Sequence, residues 1–552
     1  MISNTRYWFL MLLITLVYLA GMFVTLFEND SAQFAVMAMR MVQENDFFSL
    51  FKGPEVYLDK PHMHYWLAAV SFKIFGLYDW AYRIPGILAT FLGAYSCFGL
   101  GKLLYNRDVG KLSALIFMTA QTIILSVIDV RTDAVLTGFS ILAIWQLASY
   151  IENTSLLNLF IGAFGAAIAF STKGQIALLV ICLPLLCHLT YTRKWRVLLN
   201  WKILLGLLVF AISIGPMLYA YYLQFDLHPD LVIRGKGNRS GLRFIFWEQS
   251  FERLSGEGIG KNSSDYFFFF HTFLWVFLPW TVIAILGYWN GVKSIFKRRF
   301  GLDSDNDFLT LGGIGLIFLI ISFAQFKLPH YLNIVIPLFA VLTASYLHRL
   351  HQLNNLKTAK ILLGVQYFIL GLVFIASGLI CFYVFKGEHL INYTWKILLS
   401  VLVIYYCLKR ENYLMRLVTV SVLSSVLLNA VLNTHFYPSL LKYQGGSAMS
   451  KIVEAEQIPV NNIYKINAWH SWALDFYNRK PVVIASLQEL EKQENIWIYA
   501  TDDDLQELKS SGFNWDRQHT VKQFRISRLQ GKFLNPNSRK EVLNKMHLVH
   551  IY

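Results

Sequence analysis

Charged residues are scarce in this chain. Asp, Glu, Lys and Arg make up 15% of its 552 residues, and hydrophobic residues make up 55%. Because soluble domains carry about 25% charged residues, this composition excludes an ordinary soluble protein. Apolar runs of roughly 20 residues, long enough to cross a bilayer, recur as far as residue 433. The sequence therefore predicts a polytopic α-helical membrane protein.

Cysteine patterns and nucleotide motifs are also missing. The five cysteines lie in apolar runs without a Cys-x-x-Cys pair, so neither a disulfide nor a zinc site is predicted. The sequence contains no Walker or Rossmann fingerprint. The net charge of +15 would suggest nucleic acid for a soluble protein. In a membrane protein it indicates basic cytoplasmic loops and contacts with lipid phosphates, so membrane lipids and no nucleic acid are expected as partners.

Hydropathy predicts about thirteen membrane spans. They cover residues 7–27, 84–105, 109–127, 134–151, 158–170, 174–192, 201–222, 271–290, 308–324, 331–348, 359–385, 392–408 and 413–433. The dense clusters of Lys and Arg fall in alternate short loops, which the positive-inside rule assigns to the cytoplasm. We therefore expect a cytoplasmic N-terminus and, with an odd number of spans, a periplasmic C-terminus in a bacterial inner membrane.

Two domains are predicted from a change in composition. Residues 1–435 form the transmembrane domain, with long external loops at 28–83 and 223–270. Residues 436–552 are richer in charge and are expected to form a small external α/β domain. Short strands are predicted at Asn462–Ile466, Pro481–Ile484 and Ile496–Tyr499, and amphipathic helices at 485–493 and 502–510.

The first external loop begins with an acidic residue at the membrane surface. Asp30 follows the first span directly, and a carboxylate there can act as general base on an acceptor. Asp30-Ser31 also suits a helix N-cap, and the two roles are compatible. Further along, Lys60 could neutralise a phosphate while Asp59 holds Lys60 or a metal. From the residues alone, an ordinary interfacial ion pair is the slightly favoured interpretation.

Three charges occupy the short external segment Asp129-Val130-Arg131-Thr132-Asp133. Ionisable groups at such a place usually face a cavity or a partner, which favours function over simple pairing of Arg131 with an Asp. Lys173 and Lys327 stand alone in short loops on the side where the positive-inside rule expects few cations. Snorkelling explains any one lysine, whereas convergence on a lipid phosphate explains the set.

Taken in order, these elements resemble the GT-C superfamily of lipid-linked glycosyltransferases. The branch they resemble contains the aminoarabinose transferases and the bacterial relatives of dolichyl-phosphate-mannose–protein mannosyltransferases. The motifs that carry the resemblance are Asp30-Ser31, Tyr57-Leu58-Asp59-Lys60-Pro61 with Tyr65-Trp66, Arg83-Ile84-Pro85, Thr132-Asp133, Thr172-Lys173-Gly174 and Lys327-Leu328-Pro329-His330-Tyr331.

The resemblance implies an inverting transferase that moves a sugar from a polyprenyl-phosphate carrier to a lipid A, protein or cell-envelope glycan acceptor. It makes Asp30 the catalytic base, with Asp133 and Asp59 as reserve candidates. The expected ligands of the donor and its phosphate are Lys60, Arg131, Lys173, Lys327, Tyr331, Arg83 and Tyr57.

Two departures from the family pattern stand out. The usual Asp-Glu pair is Asp30-Ser31 here, and the stretch 246–250 lacks the histidine that can bind a metal in related transferases. A divalent metal is therefore not expected, and no cofactor is predicted. The alternative function is a secondary transporter or lipid flippase, which would show paired half-chains and broken helices at matching positions. A noncatalytic scaffold would leave the external carboxylates and lysines unexplained.

Overall fold

The computed structural model describes residues 2–552 except 234, 236, 250, 253–264, 303–306 and 387–390. Helices dominate the first four-fifths of the chain. In chain order they are α1 (Asn4–Met22), α2 (Asp30–Gln43), α3 (Met63–Phe75), α4 (Asp79–Leu104), α5 (Arg107–Thr119), α6 (Gln121–Ile128), α7 (Asp133–Asn153), α8 (Leu156–Lys173), α9 (Gln175–Thr192), α10 (Lys202–Tyr221), α11 (Gly241–Arg243), α12 (Phe268–Val276), α13 (Thr281–Lys297), α14 (Phe308–Phe323), α15 (Ile336–Gln352), α16 (Leu356–Leu379), α17 (Ile391–Leu408) and α18 (Tyr413–Val431).

The protein is a multi-pass membrane protein. Among the described residues, nine helical segments are long and apolar enough to cross a membrane, and α5 with α6 makes a tenth if that pair, bent by 52°, is one span. Two shorter apolar helices are Phe308–Phe323 and Tyr393–Leu408. Each span predicted from hydropathy overlaps a helix, so the predicted polytopic helical fold is confirmed.

The first helix shows how these segments are built. Ser3 caps α1 by accepting a hydrogen bond from the backbone N–H of Arg6. Leu10 and Ile14 are buried on one face, whereas Leu12 and Leu16 are exposed on the other although they are equally apolar. A helix that is apolar all round buries one face against protein and offers the other to lipid.

The loop between α1 and α4 contains α2, α3 and a short hairpin of β1 (Phe51–Lys52) and β2 (Glu55–Val56). The break between α6 and α7 brings residues 129–132 to the start of a membrane helix. Arg83 on α4 fixes that break, because its guanidinium donates to the carbonyl of Ile128 at 2.9 and 3.1 Å. Arg83 also donates to the carbonyl of Met22 at 3.2 Å and is fully buried.

The C-terminal region folds around a five-stranded mixed sheet with strand order β4-β3-β5-β7-β6. Its elements are α19 (Tyr437–Leu440), α20 (Gly445–Ala455), β3 (Ile463–Lys465), α21 (Trp472–Tyr477), β4 (Val483–Ile484), α22 (Leu487–Leu490), β5 (Ile496–Thr501), α23 (Asp502–Ser510), β6 (Arg517–Gln523), α24 (Gly531–Leu534) and β7 (Asn544–Ile551). Strand β3 pairs in parallel with β4 and β5, and β7 pairs antiparallel with β5 and β6. The predicted small sheet is thus present, with two strands, β6 and β7, beyond those predicted.

The C-terminal region is held against the segment that follows α1. The side chain of Gln444 accepts from the N–H of Glu28 and donates to the carbonyl of Leu26, both at 2.8 Å. The hydroxyl of Tyr477 accepts from the N–H of Leu26 at 2.9 Å and donates to Asp79 at 3.1 Å. These contacts fix the start of α2, and therefore Asp30, relative to the sheet.

Candidate active site

A cavity of about 670 Å³ lies between the loops that follow α1 and α6, the segment after α14 and the C-terminal region. We call two groups of its lining residues the carboxylate wall and the cation wall. The carboxylate wall is Asp30, Asp129, Arg131, Asp133 and His330. The cation wall is Lys52, His470, Trp472, Arg525 and Ser527.

Asp30 is the first residue of α2, and the N-cap position belongs to Asn29. The carboxylate of Asp30 accepts a hydrogen bond from Arg131 Nη1 at 2.9 Å. Its side chain keeps 43% of its surface exposed, against 21% for Asp129 and 3% for Asp133. Of the three carboxylates on this wall, Asp30 is the one most open to a ligand.

Arg131 is held between two carboxylates. Besides its contact with Asp30, it donates from Nε and Nη2 to Asp129 Oδ2 at 3.1 and 2.9 Å. Burial alone would lower the pKa of Arg131, but the charges of Asp129 and Asp30 outweigh it and raise the pKa above its ordinary value. The guanidinium is therefore a permanent cation in a fixed orientation.

Lys173, at the end of α8, forms a second ion pair in the same place. Its ammonium lies 2.7 Å from Asp133 Oδ1 and 4.9 Å from the centre of the Tyr331 ring. His330 Nε2 is 3.8 Å from the other oxygen of Asp133. Three motifs that are far apart in the sequence thus meet at Asp133.

An apolar groove of about 320 Å³ adjoins this pair. Lys173 and Tyr331 belong to its lining together with aliphatic residues such as Leu136, Ile176 and Ile321. Asp133, the partner of Lys173, lines the larger cavity. The Lys173–Asp133 pair therefore marks the junction between an apolar groove and a polar cavity.

The Tyr-Leu-Asp-Lys motif forms a compact cluster near the carboxylate wall. Asp59 Oδ2 accepts from Lys60 at 3.0 Å and from the Tyr57 hydroxyl at 3.3 Å. Lys60 lies 5.4 Å from the centre of the Phe34 ring on α2. Burial raises the pKa of Tyr57, and the charges of Asp59 and Asp30 add to the increase. Asp59 and Lys60 thus pair with each other close to Asp30.

The two histidines of this motif face protein groups. His62 Nε2 contacts the carbonyl of Phe48, and His64 Nε2 contacts the hydroxyl of Tyr82, each at 2.9 Å. Burial lowers the pKa of both rings to about 4. Within the described residues, no group of three or more His, Cys, Asp or Glu side chains is arranged to hold a metal ion.

The structure separates two of the sequence-predicted ligands from this constellation. The guanidinium of Arg83 donates to the backbone carbonyls of Ile128 and Met22, next to the 129–132 segment, and not to a cavity ligand. Lys327 donates to the carbonyl of Asp265 at 2.7 Å and lies 5.2 Å from the Tyr266 ring. Burial lowers the pKa of Lys327, and the charge of Asp265 opposes that shift. The residues after Lys327, 328–330, line the cavity itself.

The second long loop, 223–270, is described only in part. Five of its charged residues, Arg234, Lys236, Arg253, Glu257 and Lys261, lie outside the described residues. Arg239 pairs with Glu248 at 3.1 Å and also with Glu252. Gln249 donates to the backbone carbonyl of Asp59, so this loop contacts the first one beside Lys60.

The sequence did not single out the cation wall. Lys52 lies on β1, His470 precedes α21, and Arg525 follows β6. None of these residues belongs to a recognisable motif, so they become a group only when the sheet packs against the first loop. Arg525 opens a turn closed by the N–H of Arg528 on the carbonyl of Arg525 at 2.9 Å, and the sequence carries no local signal for the direction of its side chain.

Comparisons with known proteins agree with the motifs. A family model described as dolichyl-phosphate-mannose-protein mannosyltransferase matches residues 59–219. The undecaprenyl phosphate-alpha-4-amino-4-deoxy-L-arabinose arabinosyl transferase 2 of Proteus mirabilis is 24% identical over 327 residues, or 58% of this chain and 55% of that protein. The corresponding transferase of Edwardsiella ictaluri is 26% identical over 346 residues, or 60% of this chain and 57% of that protein. The matches thus span little more than half the length of these curated relatives.

The fold is similar to that of a solved structure. The crystal structure of ArnT from Cupriavidus metallidurans bound to undecaprenyl phosphate superimposes with a TM-score of 0.75 at 16% identity, covering 99% of this chain and 98% of that one. Its apo state gives a TM-score of 0.73 with the same coverage. Family model and relatives thus confirm the resemblance that the motifs indicated, to the GT-C superfamily and its aminoarabinose-transferase-like branch, and the fold agrees with it.

Proposed function

We propose that this protein is an inverting glycosyltransferase that takes a sugar from a polyprenyl-phosphate carrier at the outer face of the bacterial inner membrane. The observation that carries the proposal is the junction at Lys173 and Asp133, where an apolar groove meets a polar cavity. A polyprenyl phosphate has the same two-part chemistry, an apolar chain ending in an anion. The N-terminus would be cytoplasmic and residues 436–552 would be periplasmic.

The donor would place its prenyl chain along the groove and its phosphate at Lys173 and Arg131. Both cations are already paired with carboxylates, which holds them in position before the donor arrives. A phosphate oxygen would take over the Arg131 Nη1 hydrogen bond now accepted by Asp30, because a guanidinium binds phosphate and carboxylate alike. This exchange would release the Asp30 carboxylate at the moment the donor is in place.

Asp30 would then act as general base. It would accept the proton of the acceptor oxygen while that oxygen attacks the anomeric carbon and the bond to the carrier phosphate breaks. Lys173 and Arg131 would stabilise the charge that develops on the leaving phosphate. One displacement of this kind inverts the anomeric configuration. Asp133 and Asp59 remain the reserve bases, although both are more enclosed and each is already bound to a lysine.

The names of the curated relatives favour a pentosyl donor, undecaprenyl phosphate-linked 4-amino-4-deoxy-L-arabinose. Lipid A is the first acceptor to test, followed by protein and cell-envelope glycan acceptors. The assay combines the purified full-length protein in proteoliposomes with this donor and lipid A, and analyses the lipids by mass spectrometry. We expect aminoarabinosylated product and free undecaprenyl phosphate in equal amounts.

Two further arms make the assay decisive. A hexose-linked undecaprenyl phosphate tests the pentosyl assignment and should give less product. A fluorescent undecaprenyl phosphate sugar tests the alternative function, since a transporter or flippase would move the donor across the bilayer without forming product. Translocation without transfer would reject the proposed enzyme activity.

A further inference from the structure

A second apolar groove lies at the opposite end of the helices that carry the candidate active site. Its volume is about 280 Å³, and its lining comes from α7, α8, α9, α10 and the short helical turn Trp195–Leu199. Helix α7 begins at Asp133 and contributes Tyr150 to this groove near its other end. At 1.5 Å per residue, these two positions lie about 25 Å apart along the helix axis. The groove is therefore remote from the carboxylate wall and from the transfer chemistry proposed there.

The groove runs between α9 and α10. Both helices pack against α8, whose buried Ala163 and Ala166 line the groove with small side chains. Leu186 of α9 and Leu207 of α10 belong to the same lining and remain exposed, so the groove opens towards the surrounding lipid. An apolar groove between two lipid-facing helices has the shape and chemistry to take a hydrocarbon chain.

The connection between α9 and α10 places this groove at a membrane surface. Trp195 and Trp201 are both exposed, and Leu199 between them is 86% exposed. Tryptophan is enriched where membrane and water meet, and an exposed leucine is stable in contact with lipid. We infer that the connection lies in the membrane interface, with the groove directly below it.

Positive charge is concentrated at the mouth of the groove. Four cations follow one another in this connection, namely Arg193, Lys194, Arg196 and Lys202. Lys194 is bound to Glu152 at the end of α7. Arg193 and Arg196 are exposed, and neither forms an ion pair with any residue that the structure describes. Arg196 directly precedes Val197, which lines the groove, so its charge lies beside the opening.

Tyr150 adds a polar feature to the apolar lining. Its hydroxyl is buried and has no hydrogen-bond partner among the described residues. A buried hydroxyl without a partner costs free energy, which a hydrogen bond to a ligand would recover. The ester carbonyl of a glycerolipid can accept that bond, whereas a bare prenyl chain cannot. The lining therefore suits a glycerolipid better than the carrier of the donor sugar.

We propose that this groove binds one anionic glycerophospholipid of the membrane. One acyl chain occupies the groove, an ester carbonyl accepts the hydrogen bond of Tyr150, and the head-group phosphate binds Arg193 and Arg196. A guanidinium binds phosphate through two parallel N–H groups, and basic pockets between membrane helices bind anionic head groups. The bound lipid closes the gap between α9 and α10. This site is independent of the proposed transfer function, because it lies at the other end of the helices.

The test measures lipid binding to the delipidated full-length protein by native mass spectrometry. The two ligands are dioleoyl phosphatidylglycerol, which is anionic, and dioleoyl phosphatidylcholine, which is zwitterionic. The test variant combines Arg193→Gln with Arg196→Gln. The matched control combines Arg107→Gln with Arg410→Gln, two exposed arginines in other loops that do not line the groove. The readout is the Kd of each lipid for parent, test variant and control.

We expect the parent to bind phosphatidylglycerol at least tenfold more tightly than phosphatidylcholine. The test variant should lose about 25-fold in phosphatidylglycerol affinity, about fivefold for each cation removed. Its Kd for phosphatidylcholine should stay at the parental value, and the control should match the parent for both lipids.

Two uncharged substitutions test where the lipid sits. Tyr150→Phe should weaken the binding of both lipids about fivefold, while the delipidated variant keeps the parental melting temperature, because no hydrogen bond within the protein is lost. Phosphatidylglycerol with a photoreactive acyl chain should crosslink to α9 and α10 in the parent. Ala163→Phe fills the groove and should abolish those crosslinks.

Equal affinity of the parent for the two lipids would overturn the proposal. An equal loss in the test variant and the control would do the same, because it would show that the surface charge acts without a specific site. Crosslinks outside the groove would also reject it, and displacement of the crosslinked lipid by undecaprenyl phosphate would assign the groove to the prenyl carrier. If Ala163→Phe does not fold, the arginine variant and Tyr150→Phe decide the question.

Discussion

The two walls of the cavity differ in how their charges are arranged. On the carboxylate wall three aspartates, Asp30, Asp129 and Asp133, hold two cations, Arg131 and Lys173, at hydrogen-bonding distance. On the cation wall the charges of Lys52 and Arg525 point into the cavity from the hairpin and from the end of β6. Under the proposed function, the first arrangement would orient groups for chemistry on one bound phosphate, whereas the second contributes two cations that form no ion pair within the described residues. The following predictions test this division.

The largest effect is expected at Asp30. Asp30→Asn should lower the transfer rate by about 10²–10⁴-fold, because a positioned general base contributes that much. Asparagine keeps the shape of the side chain, and its Oδ1 can still accept the hydrogen bond from Arg131 Nη1, so folding and donor binding should be retained. The rate is measured in the proteoliposome assay, with Asp503→Asn on the exposed start of α23 as control. Near-parental turnover of Asp30→Asn would move the base to Asp133 or Asp59.

The Lys173–Asp133 pair should show a structural and a functional effect that can be separated. Lys173→Met leaves the Asp133 carboxylate buried without its partner, and breaking such a pair costs about 3–5 kcal/mol of stability. Lys173→Met with Asp133→Leu removes both charges and should recover most of the melting temperature. Undecaprenyl phosphate affinity should remain low in both variants. Recovery of binding in the double variant would show that Lys173 serves the fold alone.

The smallest effect concerns the contact between the two parts of the chain. Burial raises the pKa of Glu28 to about 8, with the charge of Asp475 adding to the shift, while the N–H of Ala473 and the charge of Lys465 oppose it. A raised carboxyl pKa means that the folded state binds the proton more tightly than the unfolded state. The contribution of Glu28 to the free energy of unfolding is complete below a pH of about 4.5, and it is lost as the pH rises towards 8.

Glu28→Gln should therefore reduce the fall in the free energy of unfolding between about pH 6 and pH 8. At pH 8 the variant should be more stable than the parent by on the order of 1–2 kcal/mol. Thermal melting of the purified protein from pH 5 to pH 8.5 measures it. Burial also raises the pKa of Asp475, to about 6, so the lower part of the profile should keep its slope. Glu491→Gln, at an exposed position, is the control. A parental profile in Glu28→Gln would show that this carboxyl does not titrate with folding.

The membrane helices and the carboxylate wall were predictable from the sequence for one physical reason. Apolar runs must be long enough to cross a bilayer, and charges left in the short segments between them are costly unless they face a cavity or a partner. That logic identified Asp30, Arg131, Asp133 and Lys173 before any geometry was known. Pairing of Arg131 with an Asp was among the interpretations of the sequence, whereas the pairing of Lys173 with Asp133 was not.

Other features depend on tertiary packing and could not be predicted from local sequence patterns. Arg83 belongs to a family motif and was therefore predicted to be a ligand. In the structure its guanidinium donates to the carbonyl of Ile128, which fixes the 129–132 segment. Strand β6, Arg517–Gln523, is largely polar and alternates between exposed and half-buried residues, so it lacks a hydrophobic signal. Arg525 lines the cavity only because the turn that follows β6 packs beside the first external loop.

The position of a bound carrier phosphate tests the central claim most directly. In a structure of this protein with undecaprenyl phosphate, we predict phosphate oxygens within hydrogen-bonding distance of Arg131 and Lys173, roughly 2.7–3.2 Å, with the prenyl chain in the adjoining groove. Asp30 should then have lost its contact with Arg131 Nη1 and should face the open cavity. A phosphate bound at Lys327, at Arg525 or outside the cavity would contradict the account.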